Sequence, residues 1–337
     1  MKPALRLSLS LSMLSCLPLM LVHATAGAQA PAPAAATNWP TRVVTIIAPF
    51  AAGGPVDLEA RIYAKKMGEL TSQKVVVDYK PGAASSIGAG YVARAAADGY
   101  TLLVGTAGLP LMPSQFKNLT FDILRDLAPI SQMSERTSLL ITHNAYPPKN
   151  LKEHFAYAKA NPEKATYGYS SGSSLLVGSW LHNLSGTKVT FVGYKGVGPA
   201  STDLMAGRLD LLSSTIAAAL PLMKSGKIRA LSVLGTRRNK LTPDLPTVPE
   251  QGVPEFDYAG NWFGFLAPSA TPPAVLNRLA ELTQAVARAP DVLSQLDAQG
   301  SIMVASRPEE FRKLIATEKV RWERVLKESG IQLGEGD

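Results

Sequence analysis

Strand, small-residue turn, helix is the grammar that repeats along this chain, and it restricts the fold more than any other feature. "RVVTIIAPF" (42–50) is an almost uninterrupted apolar run, the pattern of a strand buried on both faces. "AAGGP" follows it, with Pro55 suited to a first helical turn. Val56, Ala60, Tyr63, Met67 and Leu70 then recur at spacings of four and three, predicting one buried helix face. "KVVVDYKPGAASSIGAGYVARAAADGYTLLVGTAG" (74–108) repeats the unit: a strand ends at Pro81-Gly82, a helix starts near Ser85 or Ser86, and Asp98-Gly99 turns into another strand. Farther on come the strand "ATYGYS", the helix "SSLLVGSWLHNLS" ending at Gly186, and the strand "KVTFVGY". A helix from Pro199 to Gly207, the strand "RLDLLSS", a helix ending at Gly226 and the strand "KIRALSVLG" complete the middle. The C-terminal part is mostly helical, with one helix over 272–289 and another from Ser306, where Ser306 and Glu309 fit a capping box. Alternation of this kind predicts α/β architecture with parallel sheet. At 337 residues the chain exceeds one comfortable core, so two lobes are expected.

The first residues follow different rules. "MKPALR" is basic, "LSLSLSMLSCLPLMLV" is apolar and uncharged, and Ala24-Thr25-Ala26 supplies an A-x-A cleavage site. Residues 1–26 read as a secretory signal peptide, cut after Ala26 rather than Ala30, since Pro31 would follow the second bond. A membrane anchor would need a longer run, and "MLSC" is a poor lipoprotein signal for Cys16. Cleavage removes Lys2 and Arg6, taking the formal charge from +8 to +6. It also removes the only cysteine, leaving no thiol, disulfide or Cys-based metal site. Residues 27–40 read as a flexible leader. The expected destination is the periplasm. The positive charge is spread along the chain and suits anionic ligands weakly; without a Lys/Arg block or interleaved aromatics, nucleic acid is not an expected partner.

Gly168-Tyr169-Ser170-Ser171-Gly172 spells G-x-S-x-G, the turn that exposes the serine nucleophile of α/β-hydrolases. A hydrolase also needs a base. Of four histidines, His23 leaves with the signal peptide and none follows His182. His182 lies on the helix that the turn itself starts, while His143 and His154 precede the serine, so the hydrolase order of Ser, acid, His is not available. A Ser-Lys pair with Lys195 has no other support. The histidines lack metal-ligand spacing, and no catalytic residue, metal or cofactor is assigned. The same turn has a quieter use. A helix N-terminus leaves backbone N–H groups unpaired and favours negative charge, glycine admits close approach, and serine adds donors. Gly53-Gly54, Gly82 to Ser86, Thr106 to Gly108, Ser170 to Ser174, and Gly196 to Pro199 all follow strands. They belong at the carboxyl ends of the sheets, where open α/β folds bind ligands. No phosphate-binding G-x-x-x-x-G-K-[ST] is present, and "GAASSIGAG" is not a dinucleotide fingerprint.

"TIIAPFAAGGPVD", "YKPGAASSIGAGYVARAAADGYTLLVGTAG", "YGYSSGSSLLVG", "VGYKGVGPASTDLMAGRLDLL", "LPLMKSGKIRALSV", "LTPDLPTVPEQGVPEF" and "WFGFLAPSATP" together resemble the Bug family, extracytoplasmic receptors of tripartite tricarboxylate transporters. The likeness runs from about residue 40 to the C-terminus. It implies a two-lobed periplasmic binding protein fold, type II-like, with lobe one over 41–137 and 234–337 and lobe two over 138–233. It implies a small organic acid as ligand: a di- or tricarboxylate, an aromatic acid or an acidic amino acid. Its expected partners are the membrane subunits of a transporter or a sensor kinase, and the receptor would be a monomer, not an enzyme. Carried over residue by residue, the resemblance assigns ligand contacts to Phe50, Ala51 and Gly53, to Ser85 and Ser86, to Thr106 and Ala107, to Ser170, Ser171 and Ser173, and to Tyr194. Asp203 matches a characteristic family position, with the role of holding a helix start near the cleft. Three positions depart from the family pattern: Tyr169 replaces a small residue, Leu176 a common histidine and Gly193 a proline, and the loop 168–174 is one residue shorter. Placed at the pocket, Tyr169 and Leu176 point toward a more apolar or aromatic acid. A secreted serine hydrolase using Ser170 and a ligand-free scaffold remain the alternatives.

Overall fold

The computed structural model describes residues 38–258, 260–331 and 333; the signal peptide, Cys16 and most of the leader lie outside the described residues. The chain first lays down β1 (Val44–Ala48), α1 (Pro55–Thr71), β2 (Val75–Tyr79), α2 (Ser86–Ala93), β3 (Thr101–Thr106), α3 (Met112–Gln115) and β4 (Leu127–Arg136). It continues through β5 (Ser138–His143), α4 (Leu151–Ala160), β6 (Thr166–Tyr169), α5 (Gly172–Ser185) and β7 (Thr190–Gly193). Then come α6 (Val197–Met205), β8 (Leu211–Thr215), α7 (Ile216–Lys224) and β9 (Ile228–Leu234). It closes with β10 (Asn261–Pro268), α8 (Pro273–Ala287), α9 (Pro290–Asp297), β11 (Ser301–Met303) and α10 (Pro308–Ser329).

Two sheets result, with strand orders β11-β4-β10-β3-β1-β2 and β7-β6-β8-β5-β9. Both are mixed rather than parallel. β1 is parallel to β2 and β3, and β6 is parallel to β7 and β8, as the strand–turn–helix units require. β10 runs antiparallel to β3 and β4, and β5 antiparallel to β8 and β9. The alternation lapses at these places. Thr137 alone separates β4 from β5, with no helix to carry a crossover, and β10 follows a long irregular stretch.

Each sheet is covered on both faces. Ile46 packs with Tyr63, Met67, Leu102 and Phe265 on one side of the first sheet, while Ile47 packs with Leu103, Leu266, Phe311 and Ile315 on the other. That period-two division explains why β1 is apolar at every position but Thr45. Val56, Ala60, Tyr63 and Met67 of α1 are buried as their spacing predicts, but Leu70, in the last turn, is half exposed. α10 joins the two sheets' cores. Its Phe311 and Ile315 belong to the first, and its Trp322 and Val325 pack with Trp180 and Phe256 beside the second. Burying each such side chain is worth about 1.5–3 kcal/mol, so α10 is a substantial tie. It starts two residues later than the sequence suggests. Pro308 opens it, Arg307 is the cap, and Glu310 reaches back to the Arg307 N–H at 2.9 Å. Ser306 is engaged elsewhere: its Oγ accepts from Gln132 N at 2.9 Å and its carbonyl from Ser131 Oγ at 2.8 Å. Among the described residues, no helix is long and apolar enough to cross a membrane.

Candidate functional site

The carboxyl ends of β1, β3, β6, β7 and β8 point at one cavity of about 810 Å³ between the sheets. Five helices of eight residues or more begin at its wall: α1 through Pro55, α2 through Ser85, α5 through Ser171, α6 through Gly196 and α7 through Thr215. Among the described residues, Arg136 and Lys195 are the charged members of the lining, and no Asp or Glu joins them. Helix N-termini and cations without a carboxylate make a wall of positive potential.

On the first sheet's side, Asp57 draws in the loop after β1 by accepting from Gly53 N at 2.7 Å. Burial works to raise that carboxyl, but the bonds from Tyr79, Gly53 and Arg61 outweigh it and hold it below the ordinary carboxylate range. The approach to α2 is strained. Gly82 sits at φ 122°, and Ala83, Ala84 and Ser85 follow at 45°, 45° and 74°, in the left-handed region that side chains avoid. No side chain caps α2. The helix is pressed onto the exits of β1 and β2 because Gly88 has no side chain: a Cβ there would lie 2.7 Å from Pro49 Cβ and 3.0 Å from the Lys80 carbonyl oxygen. The floor is formed where β4 ends and β10 begins, with Arg136 paired to Asn261 and followed by Trp262 and Phe263. Trp262 Nε1 donates to Glu318 Oε2 at 2.8 Å, and burial pushes the Glu318 carboxyl up to about 7.

On the second sheet's side the first turn of α5 is closed on itself. Ser171 Oγ accepts from Ser174 N at 3.3 Å, and Ser174 Oγ accepts from Ser171 N and Ser170 N at 3.1 Å each. This is a capping box built from serines alone. Tyr169 and Gly193 are cross-strand partners, and a Cβ on Gly193 would lie 3.0 Å from the Tyr169 hydroxyl. The two departures from the family pattern therefore answer each other: Gly193 leaves the room that the Tyr169 ring fills. Leu176 does not act at the cavity. It is fully buried in the core with Tyr167 and Trp180.

Phe50, Ser85, Thr106, Ala107, Ser170, Ser171, Ser173 and Tyr194 all line the cavity. Ala51, Gly53, Ser86 and Asp203 lie off its lining. Asp203 stands late in α6, where its carboxylate accepts from Tyr194 Oη at 3.0 Å and from Arg208 Nη2 at 2.6 Å, so it steadies a lining tyrosine. Sequence reasoning missed Arg136, Gln115, Thr215, Asn261, Trp262 and Phe263. Arg136 carried a signal: a charge closing a ten-residue buried strand asks for a partner or a task. Among the described residues, no histidine serves Ser170. His143 meets Asp210, His154 Nδ1 shares a hydrogen with Tyr146 Oη at 2.8 Å, and His182 Nδ1 with Thr187 Oγ1 at 2.7 Å. Among the described residues, no three His, Cys, Asp or Glu side chains are grouped to hold a metal ion.

The sequence matches the family described as "Tripartite tricarboxylate transporter family receptor" over residues 59–331. It is 34% identical to Protein BugT of Bordetella pertussis (strain Tohama I), covering 89% of this chain and 93% of that one. A solved R. palustris protein with adipate superposes with a TM-score of 0.74 at 31% identity, covering 88% of this chain and 99% of its own. MatC from Rhodopseudomonas palustris with bound malate gives 0.70 at 30%, covering 86% and 100%. Family match, identity and fold agree over nearly the whole chain, which belongs to the Bug family of tripartite tricarboxylate transporter receptors, proteins that bind solutes rather than transform them.

Proposed function

We propose that the protein is exported by residues 1–26 and works in the periplasm, capturing a small organic carboxylate between its two sheets for the membrane subunits of a tripartite transporter. Residues 41–137 with 234–337 form one lobe and residues 138–233 the other, and the ligand is held where they face. The observation that carries this reading is the convergence of five helix starts on a cavity lined, among the described residues, by Arg136 and Lys195 and by no acid. A carboxylate there accepts charge-assisted hydrogen bonds from backbone N–H groups and serine and threonine hydroxyls, with no chemistry demanded of Ser170. The solved relatives with adipate and malate are consistent with that ligand class. Phe50, Tyr169 and Phe263 give the same cavity aromatic surface, which suits an acid with an apolar body.

Thermal unfolding of residues 27–337 against small carboxylic acids and their matched amides tests the reading. A ligand that binds only the folded protein adds about 2.7 kcal/mol at a hundredfold excess over Kd. The expected outcome is stabilisation by an acid and none by its amide. Equal stabilisation by both, or by neither after the protein has been unfolded, dialysed and refolded, defeats it.

A further inference from the structure

Arg136 is the charged residue at the cavity whose setting is least balanced. Its side chain is 7% exposed, and a buried cation needs a counter-charge. Glu59, fully buried on α1, supplies one incompletely: Oε2 stands 3.5 Å from Arg136 Nη1, and neither carboxylate oxygen meets hydrogen-bond geometry. Burial pushes the Glu59 carboxyl up to about 7, with Ser134 and Arg136 opposing, so around neutral pH this acid is only partly ionised and balances the guanidinium incompletely. The adjacent acid in sequence, Glu135, is engaged with Arg237. The remaining contacts of Arg136 carry no charge. Nη1 donates to Ser301 Oγ at 3.2 Å, and the Phe263 ring centre lies 5.3 Å from the guanidinium carbon. Both polar partners therefore meet Nη1. Among the described residues, the Nε–Nη2 edge, which can take a carboxylate bidentately side-on, has no partner.

We propose that Arg136 is a specificity-determining residue: it binds a second anionic group of the ligand, remote from the carboxylate held at the helix starts, while Glu59 and Ser301 fix the guanidinium in position. The inference rests on the carboxylate-receptor reading and adds to it the charge count of the ligand. Lys195 does not take this role. It is exposed at the wall, and solvent and salt screen its charge.

The test is isothermal titration with linear diacids from succinate to suberate, each paired with its monoamide. The proteins are the wild type, Arg136→Lys, and the double variant Glu59→Gln/Arg136→Met, which removes both charges and strands neither. Lys195→Gln tests the other cation of the lining. In the wild type the best diacid is expected to bind about tenfold or more tighter than its monoamide. The double variant is expected to lose that preference and keep the monoamide affinity within about threefold, whereas Lys195→Gln keeps the preference. Arg136→Lys reads the same ratio should the double variant fail to fold; a preference reduced but not abolished supports the proposal. An unchanged preference in either Arg136 variant overturns it, as does equal loss of diacid and monoamide in a folded variant. Wild-type protein that binds diacid and monoamide equally overturns the role of Arg136 alone. Wild-type protein that binds neither a diacid nor any other carboxylate overturns the underlying reading.

Discussion

α2 and α5 both begin at the cavity, one from each sheet, and their first turns are built in opposite ways. The start of α5 is satisfied from within, by the reciprocal Ser171 and Ser174 bonds. The start of α2 has no side-chain acceptor and is reached through three consecutive non-glycine residues in the left-handed region. Each such residue costs about 1–2 kcal/mol, and strain of that size persists where the surroundings over-determine it. The contrast suggests a division of labour. α5 is a finished element that presents Ser170 and Ser173, whereas α2 is held ready for an anion to complete it. The buried ionisable groups divide in the same way. Of the most deeply buried histidines and acids, His182 on α5 and His154 against it lie on the second side, and Glu59 and Glu318 behind the first sheet's wall.

The largest effect expected from this contrast is on pH stability. Burial lowers His154 from 6.5 to about 4, the charge of Asp210 opposing in part. Burial, reinforced by His154, pushes His182 well below its ordinary value. An unfolded chain takes up protons on these rings where the folded one does not, so stability falls as pH drops from about 6.5 toward 4, by on the order of 3 kcal/mol for His154. The acids act with the opposite sign. Burial raises Glu59 and Glu318 from 4.5 to about 7, so the folded chain keeps protons that the unfolded one releases, and stability falls as pH rises through that window. Denaturant midpoints from pH 4 to 8 are expected to show His154→Gln flattening the acid limb and Glu59→Gln the upper one. An acid limb unchanged by His154→Gln breaks the assignment of neutral histidines to the second side.

Gly88→Ala attacks the α2 side directly. The added Cβ meets Pro49 at 2.7 Å and the Lys80 carbonyl at 3.0 Å, and backbone yields less readily than a side chain. α2 must shift away from the loops that position it, at a cost of about 1–3 kcal/mol. Because Ala84 and Ser85 move with it, carboxylate affinity measured by titration is expected to fall about tenfold or more. Affinity retained in a destabilised protein means that the α2 start does not touch the ligand.

Much of this arrangement was legible in the residues. Local grammar determined the strand–turn–helix units, so Ser85, Thr106, Ser170 and Tyr194 could be placed at strand exits and reach the cavity together. What the sequence hid depends on distant partners. Ser306 looks like a cap until Gln132 and Ser131 claim its Oγ and carbonyl. Tyr169 and Gly193 look like two separate oddities until parallel pairing of β6 and β7 sets one over the other. Leu176 replaces a residue common at the family's pocket yet faces the core, a matter of helix phase within α5. Arg136 gave only a weak signal, a charge closing an otherwise buried strand, and nothing local says whether such an arginine reaches the surface or lies behind a cavity.

Ser171→Ala gives the smallest expected effect and the sharpest reading of the comparison. The substitution removes the oxygen that accepts from Ser174 N and lies 3.0 Å from Ser173 Oγ, and leaves the backbone of α5 unchanged. Loss of an N-cap costs about 0.5–2 kcal/mol, visible as a lower denaturant midpoint at constant slope. If α5 is complete in itself, that cost falls mainly on stability, and carboxylate affinity changes by less than it does in Gly88→Ala. The reverse pattern, unchanged stability with affinity lost, would make Ser171 a ligand contact first and a cap second. The two helix starts would then be alike in function despite their different construction, and the strain before α2 would need another reason.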